Sequence, residues 1–315
     1  GNYKRGIFGE RDKYQEFLKK KKFDIILFYA AQQWTFDLAL PILNEINSKL
    51  YLATCGFSGL KKTGYSKYYK LLIDKNKNIK KNIVHSKNYI DIDFLKKNNI
   101  KNNLLIPNAA DDDFKKKKHN DFFKFFKIKK ANKNILNVSN YKFNKGQDLS
   151  IFIFFFLNYR KKINLIFIGE SFKSKIYYNY LQLLKLITEF CFKNKKIYFL
   201  EKLKRNQVVS AYFNHDLFLF TSRLECSPLV LFEAAASGLP FISLNSGNSD
   251  EISKWTKAGV SLNNIFEATK KLSFFLKNPK YYLKFTKNGK KNFNNKFNWK
   301  NISNMYLKAF KASKS

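Results

Sequence analysis

The chain has 315 residues, enough for two α/β domains, and its hydrophobic content of 45% is ordinary for a folded domain. Lysine and arginine outnumber aspartate and glutamate by 60 to 23, giving a formal charge of +37, and arginine occurs at only five positions. Proteins specific for nucleic acid usually rely on bidentate arginine, so the excess of lysine argues against a specific nucleic-acid partner and indicates compositional drift toward lysine. A charge of +37 nevertheless attracts anionic lipid headgroups and, without specificity, nucleic acid.

Apolar runs and stretches of helical spacing alternate through the first third of the chain. Helices are predicted at 36–46, 68–73 and 91–98, and strands at 23–30, 50–54, 82–85 and 104–107. Strand, helix and strand in this order indicate a parallel sheet. We therefore predict an N-terminal α/β domain over residues 1–114 and an interdomain linker over 115–134, where lysine and phenylalanine alternate.

A second α/β domain is predicted over residues 135–295. Its strands are expected at 135–138, 164–168, 196–200, 217–220 and 241–244. Its helices are expected at 149–159, 177–192, 206–213, 229–237, 263–276 and 279–288, with Asn206 as a cap and Gly289 as a terminator. A last helix ends near residue 312 within a C-terminal segment, 296–315.

The most informative stretch runs from His215 to Ile252. Ser227 is predicted as the N-cap of a helix, with Pro228 at its first position. A helix N-terminus at the carboxyl end of a parallel sheet offers free N–H groups and a positive dipole, so anions bind there. Glu225 lies in the loop before this helix and Glu233 one turn beyond its start, where a carboxylate can accept hydrogen bonds from a ribose diol.

Metal ligands are the alternative role for the acidic residues that precede the linker. Asp111 and Asp113, or Asp91 and Asp93, have the Asp-x-Asp spacing of a divalent metal site. No third acidic or histidine ligand follows at a fixed spacing, and lysines 115–118 already balance the charge. We therefore predict no metal site.

The motif Glu225-x7-Glu233, preceded by Ser222 and followed by Ala-Ala-Ala-Ser-Gly-Leu-Pro at 234–240, resembles the nucleotide-sugar site of retaining GT-B glycosyltransferases of family 4. Three further segments resemble the same family: 106–111, the Lys-Gly loop at 138–146, and 297–299. The resemblance implies two Rossmann-like domains, with the segment 296–315 crossing back to the N-terminal one.

The resemblance also implies roles for individual residues. Glu233 would bind the ribose, Glu225 the donor sugar and Lys145 the diphosphate, so Glu225 and Lys145 are the candidate catalytic residues. Backbone N–H groups of Ser227, Leu229 and Val230, in the segment that also contains Pro228, which has no N–H, would hold the diphosphate. The backbone near Leu203 and Lys204 would line the base pocket. Asn140 occupies the place of a family arginine, with Lys142 as its candidate substitute. No cofactor or metal is implied, because the nucleotide-diphosphate sugar is the donor substrate.

We thus expect a cytoplasmic, metal-independent hexosyltransferase acting on a glycan or lipid-linked acceptor, such as a growing polysaccharide. The three cysteines, at 55, 191 and 226, have no disulfide or metal spacing, and the longest apolar run, 151–157, is too short to span a bilayer. The charge predicts peripheral contact with the anionic inner face of the membrane. The first domain lacks the opening strand and glycine-rich loop of the family, so we expect it to be truncated.

Alternatives are a non-catalytic nucleotide-sugar-binding protein, another GT-B enzyme such as a sugar epimerase, or a lysine-rich binder of nucleic acid or anionic membranes.

Overall fold

The computed structural model describes residues 2–60, 62–115 and 121–312. Two compact units are present: the first comprises the residues up to Pro107 together with those from Ser303 onward, and the second runs from Asn108 to Ile302. Each contains one parallel sheet flanked by helices, which confirms the predicted α/β class with two Rossmann-like domains. The boundaries expected at 114, 134 and 295 stay predictions, and residues 116–120 of the expected linker lie outside the described part.

The first unit holds a four-stranded sheet in the order β1-β2-β3-β4. Its strands are β1 (Ile25–Tyr29), β2 (Lys49–Ala53), β3 (Ile79–Val84) and β4 (Asn103–Leu105). Its helices are α1 (Arg11–Lys20), α2 (Trp34–Ala39), α3 (Ser66–Lys75) and α4 (Ile90–Lys97). The predicted helix 36–46 is wrong in its second half, because α2 ends at Ala39 and a 3₁₀ segment, Leu40–Glu45, follows. Pro41 has no N–H to continue the α-helical ladder.

The second unit holds the remaining strands and most of the remaining helices. Its strands are β5 (Lys133–Val138), β6 (Ile163–Gly169), β7 (Lys195–Glu201), β8 (Leu217–Phe220), β9 (Phe241–Leu244) and β10 (Gly259–Leu262). Its helices in chain order are α5 (Phe122–Phe125), α6 (Gln147–Phe156), α7 (Lys175–Cys191), α8 (Arg205–Asn214), α9 (Leu229–Ser237), α10 (Ser249–Thr256), α11 (Ile265–Lys277) and α12 (Pro279–Lys296). The last helix, α13 (Trp299–Lys311), begins in this unit, but its residues from Ser303 onward belong to the first unit. None of the helices in the described part is long and apolar enough to cross a bilayer.

The sheet of the second unit has the order β10-β9-β8-β5-β6-β7, with all neighbours parallel. Successive residues of each strand point to opposite faces, and both faces are buried. Leu136 packs toward one core with helices α8, α9 and α12, whereas Ile135 packs toward the other with α6, α7 and α11. The chain order reverses between β5 and β8, and ligands bind at such a switch point in open α/β sheets.

Two features predicted for the helices of this unit are wrong. Asn206 is not a cap: α8 begins at Arg205, and the N–H of Lys204 donates to the Gln207 side chain at 2.8 Å. Gly289 does not end α12, which continues to Lys296. A Cβ at Gly289 would lie 2.8 Å from the Cβ of Ala258 and 3.1 Å from the carbonyl oxygen of Ala235. This glycine therefore permits close packing of the helix rather than a stop.

The sequence prediction also missed α10 and β10. Among the described strands, β10 is a short edge strand, Gly-Val-Ser-Leu, that pairs with β9 alone and is partly exposed over most of its length. Such a segment has no continuous apolar run, which explains why periodicity did not reveal it.

Candidate functional site

A cleft of about 450 Å³ opens at the carboxyl ends of β5, β6 and β8 in the second unit. Its walls come from the loop after β5, the end of β6, the start of α8 and the segment that leads into α9. The lining residues are Val138, Ser139, Asn140, Lys145, Ile168, Gly169, Glu170, Leu203, Val208, Phe220, Glu225, Ser227, Pro228, Leu229 and Val230. The cleft therefore occupies the switch point of the sheet, where the topology favours a ligand site.

Helix α9 begins at this cleft, although not as the sequence predicted. Pro228 is the N-cap rather than the first helical residue: its backbone is extended, and its carbonyl accepts from the N–H of Leu231 at 3.3 Å. Ser227 is therefore not the N-cap, and its hydroxyl is buried without a hydrogen-bond partner among the described residues. The first-turn N–H groups of Leu229 and Val230 have no acceptor within the helix, so they are available to an anion.

The loop after β5 is held against the end of β8 by close backbone contacts. The Thr221 hydroxyl donates to the carbonyl of Gly146 at 2.6 Å. Gly146 has a φ of +66°, and a Cβ there would lie 2.1 Å from the Thr221 carbonyl oxygen. Only glycine fits this approach, which fixes the position of the neighbouring Lys145.

Lys145 and Glu225 form an ion pair within the cleft. The Nζ of Lys145 lies 2.6 Å from Oε1 of Glu225, and the two side chains are 25% and 15% exposed. These residues are 80 positions apart. The structure thus brings together the two residues predicted to be catalytic.

Arg223 stabilises the same loops and was not anticipated from sequence. Its guanidinium donates to both carboxylate oxygens of Asp148, at 2.8 and 2.6 Å, and to the carbonyl of Phe143 at 2.7 Å. The hydrogen bonds to Asp148 raise the pKa of Arg223. No local sequence signal links these residues, because Arg223 and Asp148 are 75 positions apart.

Glu233 lies one turn beyond Val230 and is not among the residues that line the cleft. Its carboxylate accepts a hydrogen bond from the Tyr212 hydroxyl at 2.8 Å. Burial raises the pKa of Glu233, while that hydrogen bond and the nearby Arg205 act in the opposite direction. A carboxylate held in this way can accept hydrogen bonds from hydroxyl groups. Its assignment to ribose stays a prediction.

Asn140 and Leu203 line the cleft, whereas Lys204 is exposed immediately before α8 and does not. Lys142, the candidate substitute for the family arginine, is also exposed and lies outside the lining. The lining residues at the ends of β6 and β8 and on α8 were not predicted from the sequence. The carboxyl ends of the predicted strands were the available signal.

Of the acidic residues considered as metal ligands, Asp111 and Asp113 contact a cation of the protein, whereas the buried carboxylate of Asp91 accepts from the N–H of Gly56 at 3.1 Å. Asp111 and Asp113 lie 3.5 and 3.7 Å from the guanidinium of Arg205. Within the described ranges, no group of three or more His, Cys, Asp or Glu side chains is placed to hold a metal ion.

Solved structures of other proteins share this architecture. HepE from Anabaena in complex with UDP is 15% identical, with a TM-score of 0.78 over 96% of this chain and 82% of that one. Sucrose-phosphate synthase from Thermosynechococcus elongatus is 15% identical, with a TM-score of 0.76 over 96% and 77%. A glycosyltransferase from Rickettsia africae is 17% identical, with a TM-score of 0.76 over 96% and 80%. These likenesses show the GT-B fold. None of the curated proteins compared matches the sequence.

The family of glycosyl transferases group 1 matches residues 118–292, which is more than half of the chain. The matched region contains β5 to β10 and the whole cleft. The chain therefore belongs to the glycosyl transferases group 1 family.

Proposed function

We propose that this glycosyltransferase transfers a sugar from a nucleotide-diphosphate donor to a glycan or lipid-linked acceptor, with retention of anomeric configuration and without a divalent metal. The observation that carries the proposal is the Lys145–Glu225 pair beside the free N-terminus of α9, in a cleft at the switch point of the sheet. HepE was solved in complexes with UDP and with UDP-glucose, so UDP-sugars are the first donors to test.

In the proposed reaction, the bond between the anomeric carbon of the donor sugar and the diphosphate oxygen breaks, and its electron pair leaves with the diphosphate, which gains negative charge. The acceptor hydroxyl oxygen bonds to that carbon and releases its proton. Lys145 supplies a fixed cation, and the first-turn N–H groups of α9 supply preorganised donors at the same place. Donors positioned in advance stabilise the transition state without reorganising. A metal ion is not required for this neutralisation in the mechanism we propose.

Glu225 has two roles in this proposal. In the donor-free protein its carboxylate partners Lys145. When the diphosphate takes up the charge of Lys145, Glu225 can accept hydrogen bonds from hydroxyls of the donor sugar. Leu203 and the backbone beside Lys204 would border the base, while Glu233 would bind the ribose hydroxyls.

The role of Glu233 is tested by calorimetry with a panel of nucleotide diphosphates and their sugars. Glu233→Ala should abolish binding of the nucleotide sugar that the wild-type protein binds. Tyr212→Phe is the matched control, since it removes the hydrogen bond at 2.8 Å but leaves the carboxylate in place. Unchanged binding by Glu233→Ala would end the assignment.

Transfer is tested separately by product analysis with the donor that binds. Formation of a glycoside with the anomeric configuration of the donor supports the proposal, and an inverted product contradicts retention. Binding without turnover across a panel of acceptors would instead support a non-catalytic nucleotide-sugar-binding protein. Asn140, in place of a family arginine, is the observation that favours this second candidate.

A further inference from the structure

Helix α7 in the second unit has an unusual solvent-facing surface. Five apolar side chains repeat along it at alternating spacings of four and three residues, and they are between 37% and 84% exposed. We call them the α7 stripe: Ile176, Tyr180, Leu183, Ile187 and Phe190. Leu186 is exposed beside the stripe. Because residues three and four apart share one face of a helix, these side chains form a continuous apolar surface.

The α7 stripe is distinct from the face by which the helix packs on the sheet. Tyr177, Leu181 and Thr188 are the buried residues of α7, and the first two belong to the core that contains β6. The packed face and the stripe lie side by side around the helix axis. Packing in the core therefore explains why one face of α7 is apolar, but it does not explain the exposed apolar residues of the α7 stripe.

Positive charges gather at the C-terminal end of the stripe. Lys193 lies 5.4 Å from the ring centroid of Phe190. The side chain of Asn194 donates to the carbonyls of Tyr159 and Lys161, at 2.7 and 3.1 Å, so the loops before β6 and β7 lie side by side. We call their exposed cations the basic edge: Arg160, Lys161, Lys162 and Lys193. The exposed ring of Phe156, at the end of α6, adds apolar surface close to the same loops.

We propose that the α7 stripe and the basic edge together dock the protein on the surface of an anionic lipid bilayer. A helix with exposed Leu, Ile and Phe can lie in the bilayer interface with its apolar face about 5–10 Å deep. Each lysine or arginine near an anionic surface adds to the attraction. The stripe would insert, and the basic edge would contact lipid phosphates. This inference does not depend on the proposed transfer reaction.

The overall charge of the protein favours one of two possible partners for the α7 stripe, a lipid bilayer or a second copy of the chain. Two copies would each carry a formal charge of +37 over the whole chain, and like charges repel. An anionic lipid surface instead attracts the same charge. Charge complementarity therefore favours the bilayer.

Flotation with lipid vesicles tests the stripe. Wild-type protein should float with vesicles containing phosphatidylglycerol and much less with phosphatidylcholine alone. The triple variant Leu183→Ser, Ile187→Ser, Phe190→Ser should lose binding by roughly tenfold or more, because it removes three of the apolar side chains that would be buried in the bilayer interface. The matched control replaces three scattered exposed residues, Phe8, Leu283 and Leu307, with serine and should bind like wild type. Equal losses in the two triple variants would overturn the proposal.

The basic edge has its own charge-matched pair of variants. Arg160→Glu, Lys161→Glu, Lys193→Glu should abolish the preference for phosphatidylglycerol. Lys280→Glu, Lys284→Glu, Lys287→Glu changes the net charge equally on exposed residues of α12 and should retain most of that preference. Equal effects would indicate a response to total charge alone and would contradict a defined surface.

A label on the native protein gives a result that does not depend on the folding of these variants. Cys191, at the end of α7, is exposed and can carry an environment-sensitive fluorophore. Its emission should shift to shorter wavelength on anionic vesicles, and Cys191→Ser should remove that signal. An unshifted emission on vesicles that bind the protein would refute docking through α7. A wild-type dimer in light scattering that the stripe variant converts to monomer would identify a second copy as the occupant and also refute it.

Discussion

The substitution Lys145→Met tests the donor site most specifically. Lys145 is one quarter exposed and pairs with Glu225 at 2.6 Å, so its charge is held inside the cleft rather than in bulk solvent. A charge-assisted hydrogen bond to a phosphate in such a setting is worth about 1.5–3 kcal/mol. Loss of the cation should therefore weaken nucleotide-diphosphate binding roughly 10- to 150-fold.

Calorimetry measures this effect, and the neighbouring loop provides the control. Lys142→Met removes the same charge three residues earlier, at an exposed position outside the cleft lining. That variant should bind within about twofold of wild type, because exposed charges are screened by solvent and salt. If Lys142→Met lost more affinity than Lys145→Met, the argument from position in the cleft would be refuted.

Three further predictions concern the loops, acid stability and thiol reactivity. Gly146→Ala should destabilise the fold by about 2–4 kcal/mol in chemical denaturation, since its Cβ would meet the Thr221 carbonyl at 2.1 Å. Gly9→Ala, at positive φ but with open space around it, should cost less, and equal costs would contradict the clash. Burial lowers the pKa of His215 to about 4 from 6.5, so the unfolded chain takes up a proton first as the pH falls. As the pH falls from 6.5 to about 4, the free energy of unfolding should drop by up to ~3 kcal/mol, and it should drop by less in His215→Gln. An identical dependence on pH in the two proteins would contradict a neutral buried imidazole. Burial also raises the pKa of the Cys55 thiol to about 12, so alkylation followed by mass spectrometry should modify exposed Cys191 well before Cys55. Faster modification of Cys55 would show that the thiol is accessible and ionised.

Strands with continuous apolar runs were predictable from sequence because their ends are marked by polar or turn residues. The strands at 217–220 and 241–244 have the bounds that the sequence predicted. The ends of helices were less predictable, because they depend on tertiary packing as well as on the local sequence. Pro228 caps α9 where Ser227 was expected, and Gly289 lies inside a long helix where a terminator was expected.

The candidate site could be predicted only in part. The motif in 215–252 and the Lys-Gly loop directed attention to the correct end of the sheet, and Lys145 and Glu225 do meet there. The contacts that hold those loops could not be foreseen, since Arg223 and Asp148 are joined only by the fold. The hydrogen bond between Tyr212 and Glu233 likewise depends on how α8 and α9 pack.

A crystal structure with the nucleotide diphosphate that binds in calorimetry tests the central claim most directly. The account predicts phosphate oxygens within hydrogen-bond distance of Lys145 Nζ and of the N–H groups of Leu229 and Val230. A second basic cleft, lined in part by Lys133, Arg160 and Lys161, opens at the amino ends of β5 and β6. A diphosphate bound in that cleft, with the switch point left empty, would contradict the assignment of the donor site.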